Sequence, residues 1–307
     1  METLYLTHPA CRLHDMGDWH PECPQRLDAI NDQMLASGLA DYVVSEQAGQ
    51  ADLAALERAH DPAYVAAILK GSPVEGTRTL DPDTLQGPHT ADAARYAAGA
   101  GLAAVDAVMA GRASSAFCAV RPPGHHACRD RAMGFCFFNN IAVAAQHAMH
   151  YHGVTRVAII DFDVHHGNGT EDIFAGDDRV LMCSFFQHPF YPNSGVEHPA
   201  ANMVNVPVPA YSAMPAIREL VQQIWLPRLH AHRPELVLIS AGFDAHREDD
   251  MGQLGLVEAD YTWLTEQAVA IADQYAKGRI VSMLEGGYNL SALGRSVVAH
   301  VRALAKL

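Results

Sequence analysis

The segment that decides the fold is RVAIIDFDVHHGNG, residues 156–169, where an apolar run ends in a cluster of acidic and histidine side chains. A short apolar run such as Arg156–Asp161 is typical of a strand covered on both faces of a parallel sheet. Alternate residues of an extended chain face the same side, so we expect Asp161, Asp163 and His165 to point together. Parallel sheets bind ligands beyond the carboxyl ends of their strands, so the segment predicts an α/β fold with a site at this edge.

Short apolar runs and longer amphipathic runs alternate along the rest of the chain, which predicts a mostly parallel central sheet flanked by helices. The other predicted strands are Thr3–Leu6, Ala116–Val120, Val180–Phe185, Glu235–Ser240 and Arg279–Leu284. The predicted helices are Pro24–Ser37, Pro62–Leu69, Thr90–Ala110, Asn140–Tyr151, Met214–His230, Glu258–Ala276 and Leu290–Ala305. We interpret residues 1–307 as a single domain. Three long segments are predicted to be irregular and to contribute to the site: Pro73–His89, Pro122–Asn139 and Gln187–Ser212.

Composition narrows the classes of function. Asp plus Glu total 35 and Lys plus Arg total 21, giving a formal charge of -14, so we expect no direct nucleic-acid binding. The chain contains no apolar stretch near the ~20 residues of a membrane helix, and its first residues, METLYLTHPACRLHD, lack the pattern of a secretory signal. The six cysteines are scattered and indicate reduced thiols, so we expect a cytoplasmic location. The sequence leaves homo-oligomerisation open.

A second predicted strand end supplies another carboxylate. Asp244 follows the strand Glu235–Ser240 and a glycine. Asp163, His165 and Asp244 would then give a cation such as Zn²⁺ three protein ligands and leave positions open, which is the pattern of a catalytic site. The alternative is that these are ordinary polar residues of strand ends and turns.

Two further segments carry residues suited to catalysis beside a metal. His125 and His126 follow Gly124, and a histidine pair there suits acid–base work. Tyr288 follows two glycines, and its hydroxyl could stabilise a developing oxyanion. The alternatives are two solvent-exposed loop histidines and a tyrosine packed over a glycine turn.

These segments together resemble the signature set of the histone deacetylase family, in the family's order and closest to class II and its bacterial relatives. The matching stretches are RPPGHHA (121–127), GFCFFNN (134–140), DFDVHHGNGT (161–170), SAGFDAH (240–246) and LEGGYN (284–289), with a fainter match at His20-Pro21-Glu22 and Arg26. The resemblance implies the arginase/deacetylase fold, a three-layer α/β sandwich. It also implies a zinc-dependent amidohydrolase that removes acetyl or similar acyl groups from amines.

The resemblance also implies roles for individual residues. The zinc ligands would be Asp163, His165 and Asp244, and the catalytic group would comprise His125, His126, Asp161, Asn168 and Tyr288. Substrate would contact Gly134, Phe135, Tyr191, Met251 and Gly287. A structural potassium ion would lie among Asp161, Asp163, His165, Ser184 and Phe185. Asp161 would back His125 and Asn168 would back His126, so we expect His126 to be neutral and to act as general base.

Several substrates and two other functions fit the pattern. Acylated lysine in a protein or peptide is the first expectation, and an acylated polyamine or other small amine is the alternative. Met251 stands where polyamine-selective members carry an acidic residue, but acids near the rim could replace it: Asp81, Asp83, Glu248 and Asp250. An arginase-like di-manganese hydrolase would need a second ligand set. A metal-stabilised acyl-lysine binder without activity would not need Tyr288. Fe²⁺ in place of Zn²⁺ also stays open.

Overall fold

The apolar runs pair into one parallel sheet in the computed structural model, which describes residues 2–307. Eight strands form this sheet in the order β2-β1-β5-β10-β9-β6-β7-β8, and β3 pairs with β4 in a separate antiparallel hairpin. All neighbouring pairs of the large sheet are parallel. The bounds are β1 (Thr3–Thr7), β2 (Val44–Gln47), β3 (Arg78–Asp81), β4 (Thr84–Gln86), β5 (Ser115–Cys118), β6 (Val157–Asp161), β7 (Val180–Gln187), β8 (Met203–Val208), β9 (Leu236–Ala241) and β10 (Ile280–Leu284).

Helices flank the sheet in two groups, since α10 contacts both α1 and α9 while α4 and α5 contact each other. Both α4 and α10 also contact β5 in the middle of the sheet. The bounds are α1 (Gln25–Ala36), α2 (Leu53–Ala59), α3 (Pro62–Lys70), α4 (Thr90–Met109), α5 (Asn140–Tyr151), α6 (Asn168–Phe174), α7 (Met214–Leu220), α8 (Leu226–His232), α9 (Glu258–Tyr275) and α10 (Leu290–Leu304). The predicted α/β fold with a parallel central sheet is confirmed. No helix within residues 2–307 is long and apolar enough to cross a membrane.

The topology brings the chemically rich segments to one edge of the sheet. Strands β5, β10, β9 and β6 are adjacent and parallel, and the residues of all four are buried. Their carboxyl ends therefore lie side by side. The segments 121–127, 285–289, 242–250 and 161–170 leave from these four ends.

Two strands of the large sheet lie outside the predicted set because both are edge strands. β2 reads VSEQ, with alternating exposure and a partner only on the β1 side. β8 contains Pro207, which cannot donate to the ladder and so disfavours a strand prediction. The segments Gln187–Ser212 and Pro73–His89 were therefore wrongly predicted as irregular throughout, since they contain β8 and the β3–β4 hairpin.

The helix predictions differ from the structure mainly in one place. Met214–His230 was predicted as one helix, but α7 and α8 are separated by a π-helical turn at Val221–Trp225. Pro227 lies just inside α8 and has no N–H to donate to a carbonyl of the preceding turn, which explains why that turn is π-helical. The short helices α2 and α6 were not predicted.

Candidate active site

Three potential metal ligands converge where β6 and β9 end. Asp163 and His165 follow β6, Asp244 follows the adjacent strand β9, and all three side chains are buried. His165 Nδ1 lies 3.1 Å from Asp163 Oδ1 and 3.2 Å from Asp244 Oδ2. Potential ligand atoms of the three residues all lie within 4.8 Å of one another.

The chemistry of this group fits a zinc ion. Tetrahedral ligands at zinc-like bond lengths are separated by about 3.3 Å, close to the separations seen here. Asp244 Oδ2 lies near His165 but accepts no hydrogen bond of acceptable geometry from the described residues. A buried carboxylate oxygen without a donor is costly unless a cation binds it. Two carboxylates and one imidazole form a borderline donor set suited to Zn²⁺.

The pKa values of the group show how strongly it needs positive charge. Burial and the neighbouring charge of Asp163 raise the pKa of Asp244 to about 7. Burial lowers the pKa of His165, but the hydrogen bond to Asp163 and the nearby carboxylate of Asp244 outweigh it and raise the pKa to about 10. Burial would raise the pKa of Asp163, but His125 and His165 hold it below its usual value. A divalent cation would supply the charge that protons otherwise bring to the site.

Two glycines allow the loops to approach the carboxylates. A β-carbon at Gly286 would overlap the carboxylate oxygens of Asp163 and Asp244. A β-carbon at Gly242 would overlap the Asp163 carboxylate. The Gly286 N–H donates to Asp163 Oδ2 at 2.9 Å, so the loop after β10 also orients this ligand.

The tandem histidines lie beside the ligand group with different partners. His125 Nδ1 lies 3.0 Å from Asp161 Oδ2, whereas His126 Nδ1 lies 2.7 Å from the amide oxygen of Asn168. Their ring centroids are 4.1 Å apart. One imidazole is therefore paired with a buried carboxylate and the other with a neutral amide.

The surroundings of the two rings shift their pKa values in opposite directions. Burial lowers the pKa of His125, but the carboxylates of Asp163 and Asp161 outweigh it and hold the pKa well above its usual value. Burial lowers the pKa of His126, and the nearby His125 and His165 lower it further. Both directions favour a cationic His125 beside a neutral His126, as expected from the sequence.

Tyr288 reaches the same cavity from the loop after β10. Its ring packs edge-on against Phe135 at a centroid distance of 5.7 Å, and the Arg26 guanidinium lies 4.9 Å from the Tyr288 ring centroid. Burial raises the pKa of the Tyr288 phenol well above its usual value, so the hydroxyl keeps its proton. Arg26 also donates to the carbonyl oxygens of Gly287 and Glu285 at 2.7 and 2.5 Å, which fixes the loop.

Two buried acids that sequence reasoning did not assign hold the catalytic loops. Glu285 Oε2 accepts the N–H groups of Gly124 and His125 at 2.6 and 3.0 Å. Asp249 Oδ2 accepts the N–H groups of Tyr288 and Asn289 at 2.6 and 2.9 Å. The signal was an acid within a recognised motif for Glu285 and shortly after one for Asp249, but the partners of both are distant in sequence.

A cavity of about 410 Å³ opens above the ligand group and contains most of the predicted substrate contacts. Its lining residues include Trp19, Asp83, His126, Gly134, Phe135, His165, Phe190, Tyr191, Asp250, Met251 and Tyr288. Phe190 was not predicted and stacks on His165 at 5.4 Å. Gly287, Asp81 and Glu248 are not among the lining residues; the Gly287 carbonyl faces Arg26 instead.

Of the predicted potassium ligands, Asp163 and His165 belong to the ligand group itself, and Asp161, Ser184 and Phe185 lie on the adjacent strands β6 and β7. Asp161 is in register with Ser184 across this strand pair, and Phe185 follows on β7. Ser184 and Phe185 are fully buried. A potassium ion at this place stays a prediction.

Comparisons with known proteins agree with this fold. Residues 20–304 match the family model described as the histone deacetylase domain. A histone deacetylase-like amidohydrolase of Pseudomonas aeruginosa is 38% identical over 88% of this chain and 73% of its own length. The mouse polyamine deacetylase HDAC10 is 37% identical over 95% of this chain but only 46% of its own. The crystal structure of the HDA15 HD domain superposes with a TM-score of 0.93 at 33% identity, covering 99% of this chain and 90% of that one.

The matches define a class of hydrolases that act on acylated amines. The chain belongs to the histone deacetylase family.

Proposed function

We propose that the chain is a zinc-dependent amidohydrolase that removes acetyl or similar acyl groups from the ε-amine of lysine in proteins or peptides. The observation that carries the proposal is the convergence of Asp163 and Asp244 on His165, which lines the same cavity as His126 and Tyr288. We further propose that residues 1–307 are a single deacetylase domain, supported by one continuous sheet and the family match over residues 20–304.

Asp163, His165 and Asp244 would hold the zinc ion and leave positions open on the cavity side. A bound zinc ion would polarise the acyl carbonyl and lower the pKa of water. Gly286 supports this arrangement because its N–H orients the Asp163 carboxylate.

His126 would act as the general base. Its neutral imidazole can accept the proton of the attacking water through Nε2, because Nδ1 is engaged by the Asn168 amide oxygen. His126 would then return this proton to the departing amine. His125, held by Asp161, would contribute positive charge instead.

Tyr288 would stabilise the negative charge that develops on the acyl oxygen. Its raised pKa keeps the hydroxyl available as a hydrogen-bond donor. Removing one donor of this kind typically costs about 10²–10³ in rate. We expect Tyr288→Phe to lower kcat by about this factor with little change in stability, because the aromatic packing on Phe135 is kept.

The cavity walls suit a long apolar stem beside the amide. Phe135, Phe190 and Tyr191 form the aromatic walls, and Met251 lies on the same lining. The Gly134 carbonyl would accept the amide N–H of the substrate. These surroundings fit the methylene chain of a lysine better than a branched or charged side chain.

A small acylated amine with a second cationic group is the alternative substrate, and one observation favours it. The cavity lining includes the carboxylates of Asp83 and Asp250, no lysine or arginine, and Trp19, whose side chain is 72% exposed. The ratio of kcat/KM for N-acetylputrescine and an acetyl-lysine peptide compares the two classes. Asp83→Asn and Asp250→Asn should lower this ratio, whereas Glu248→Gln, outside the lining, should not.

The direct test is an acetyl-lysine peptide assay before and after metal removal. We expect a chelator to abolish turnover and added Zn²⁺ to restore it, and a hydroxamate to inhibit. His126→Ala should nearly abolish turnover, and a rate within a few-fold of the unchanged protein would remove His126 as the base.

Metal analysis with two ions in the active site would support the di-manganese hydrolase, and binding without turnover would support the non-catalytic binder. Turnover of the metal-free protein after loading with Fe²⁺ tests whether Fe²⁺ can replace Zn²⁺. Potassium, cytoplasmic location and the absence of nucleic-acid binding stay predictions.

A further inference from the structure

A second cluster of metal-ligand side chains lies between α4 and α5, outside the lining of the cavity. His147 Nε2 and His152 Nε2 each lie 2.7 Å from the same oxygen of Asp106, Oδ1. Potential ligand atoms of these three residues lie within 4.8 Å of one another. We propose that this cluster is a second binding site, which takes a divalent transition-metal ion such as Zn²⁺.

The donor set matches the ion. Two imidazole nitrogens and one carboxylate oxygen favour Zn²⁺, Ni²⁺ or Cu²⁺ over Mg²⁺ or Ca²⁺, which prefer oxygen ligands. Partial burial alone would raise the pKa of Asp106, but the hydrogen bonds from His147 and His152 lower it, so the carboxylate stays ionised as a ligand must. Binding through Nε2 requires each imidazole to carry its remaining hydrogen on Nδ1, so the ion takes the place of the hydrogens between the two Nε2 atoms and Asp106.

The positions of the three side chains are largely set before any ion binds. Asp106 lies in the last turn of α4, His147 in the last turns of α5, and His152 directly after α5. The two helices pack on each other, so the donors are held on a rigid support. An ion bound by all three needs N–O separations of about 3.0–3.3 Å, so each imidazole has to retreat by only a few tenths of an ångström.

The exposure of the cluster decides what such an ion does. The Asp106 side chain is 53% exposed, that of His152 is 25% exposed and that of His147 is 11% exposed. One side of the ion would therefore face water, and the bound ion would exchange freely with ions in solution. The ion would link the C-terminal ends of α4 and α5, and its binding would raise the melting temperature of the chain without acting on the reaction.

Metal content at defined free Zn²⁺ tests the proposal on the full chain. After equilibrium dialysis against micromolar Zn²⁺, we expect two ions per chain in the unchanged protein and one in the His147→Asn/His152→Asn variant. His150→Asn is the matched control, because His150 lies on the same helix turn but outside the cluster; it should keep two ions. Replacing the more buried His147 could impair folding. The single variant His152→Asn, at the more exposed histidine, avoids this and should also lose the second ion.

A variant of the active site separates this proposal from the proposed function. Asp244→Asn should lose the active-site ion and keep the one at Asp106. Added Zn²⁺ should raise the melting temperature of Asp244→Asn. It should not raise that of the double variant Asp244→Asn/His152→Asn. One ion per chain in the unchanged protein with full activity, or equal loss in His150→Asn, would overturn the second site and leave the deacetylase proposal intact.

Discussion

Replacing Asp249 by asparagine tests how the loop that carries Tyr288 is held. The buried Asp249 carboxylate accepts N–H groups from Tyr288 and Asn289 at 2.6 and 2.9 Å through Oδ2. Its other oxygen accepts the Met251 N–H at 3.0 Å. The amide has the same shape but only one oxygen, so it cannot satisfy both sets of donors.

The size of the effect follows from this count of donors. If the amide oxygen keeps Tyr288 and Asn289, the amide NH₂ faces the Met251 N–H, and one hydrogen bond is lost. A hydrogen bond to a charged group contributes about 1.5–3 kcal/mol, and the two that remain become neutral and weaken by about half. We expect the free energy of unfolding to fall by about 3–6 kcal/mol in Asp249→Asn.

Urea unfolding measures this change, and the chain offers a control at the next position. Asp250→Asn removes the same charge from an exposed side chain and should stay within about 0.5 kcal/mol of the unchanged protein. If Asp249→Asn behaves like Asp250→Asn, the three backbone donors do not depend on the carboxylate and the account of this loop is wrong.

A kinetic cycle asks whether Asp249 acts on catalysis through Tyr288. Asp249→Asn should lower kcat in the unchanged background, because the loop moves the phenol away from the acyl oxygen. In a Tyr288→Phe background it should have little further effect on kcat, since the hydroxyl is already absent. Equal fold-changes in both backgrounds would refute a positioning role for Asp249.

Three further expectations concern other parts of the chain. Burial lowers the pKa of His300 to about 3, so its stabilising contribution is complete above the unfolded pKa near 6.5 and is lost as the pH falls towards 3. Between pH 7 and pH 5, His300 should account for a fall of about 2 kcal/mol in the free energy of unfolding. In urea titrations, the fall over this pH range should be smaller by that amount in His300→Gln. Asn202→Ala should cost about 2–4 kcal/mol in the same assay, because the Asn202 amide donates to three backbone carbonyls and accepts one N–H; a loss below about 0.5 kcal/mol would contradict this. Gly286→Ala should lower zinc affinity and kcat by at least about 10-fold in metal titration and peptide assays, whereas Gly255→Ala, with ordinary contacts, should change neither.

The buried strands and the ligand segments were predictable because they depend on local pattern. β6, β9 and β10 are mostly apolar, and each is followed by a polar motif, so the sequence of strand ends already predicts a convergent site. The edge strands β2 and β8 were not predictable in this way. One is polar and the other carries Pro207, and both are strands only because β1 and β7 offer a partner.

The supporting residues of the site escaped prediction because their partners are distant in sequence. Glu285 contacts the backbone at His125, 160 positions away, and Arg26 contacts the carbonyl of Gly287, 261 positions away. Phe190 stacks on His165 only because its loop folds back over the cavity. A linear pattern contains the residue types for these contacts but not their geometry.

The close approach of Gly242 and Gly286 to the carboxylates has a consequence for how such proteins diversify. Any side chain at either position would displace a ligand, so the floor of the cavity tolerates almost no substitution. The mouth is different, because Asp83, Asp250 and Met251 sit on loops where side chains can be exchanged without disturbing the floor. Substitutions at the mouth can therefore change which amine binds while the metal ligands and catalytic residues stay the same.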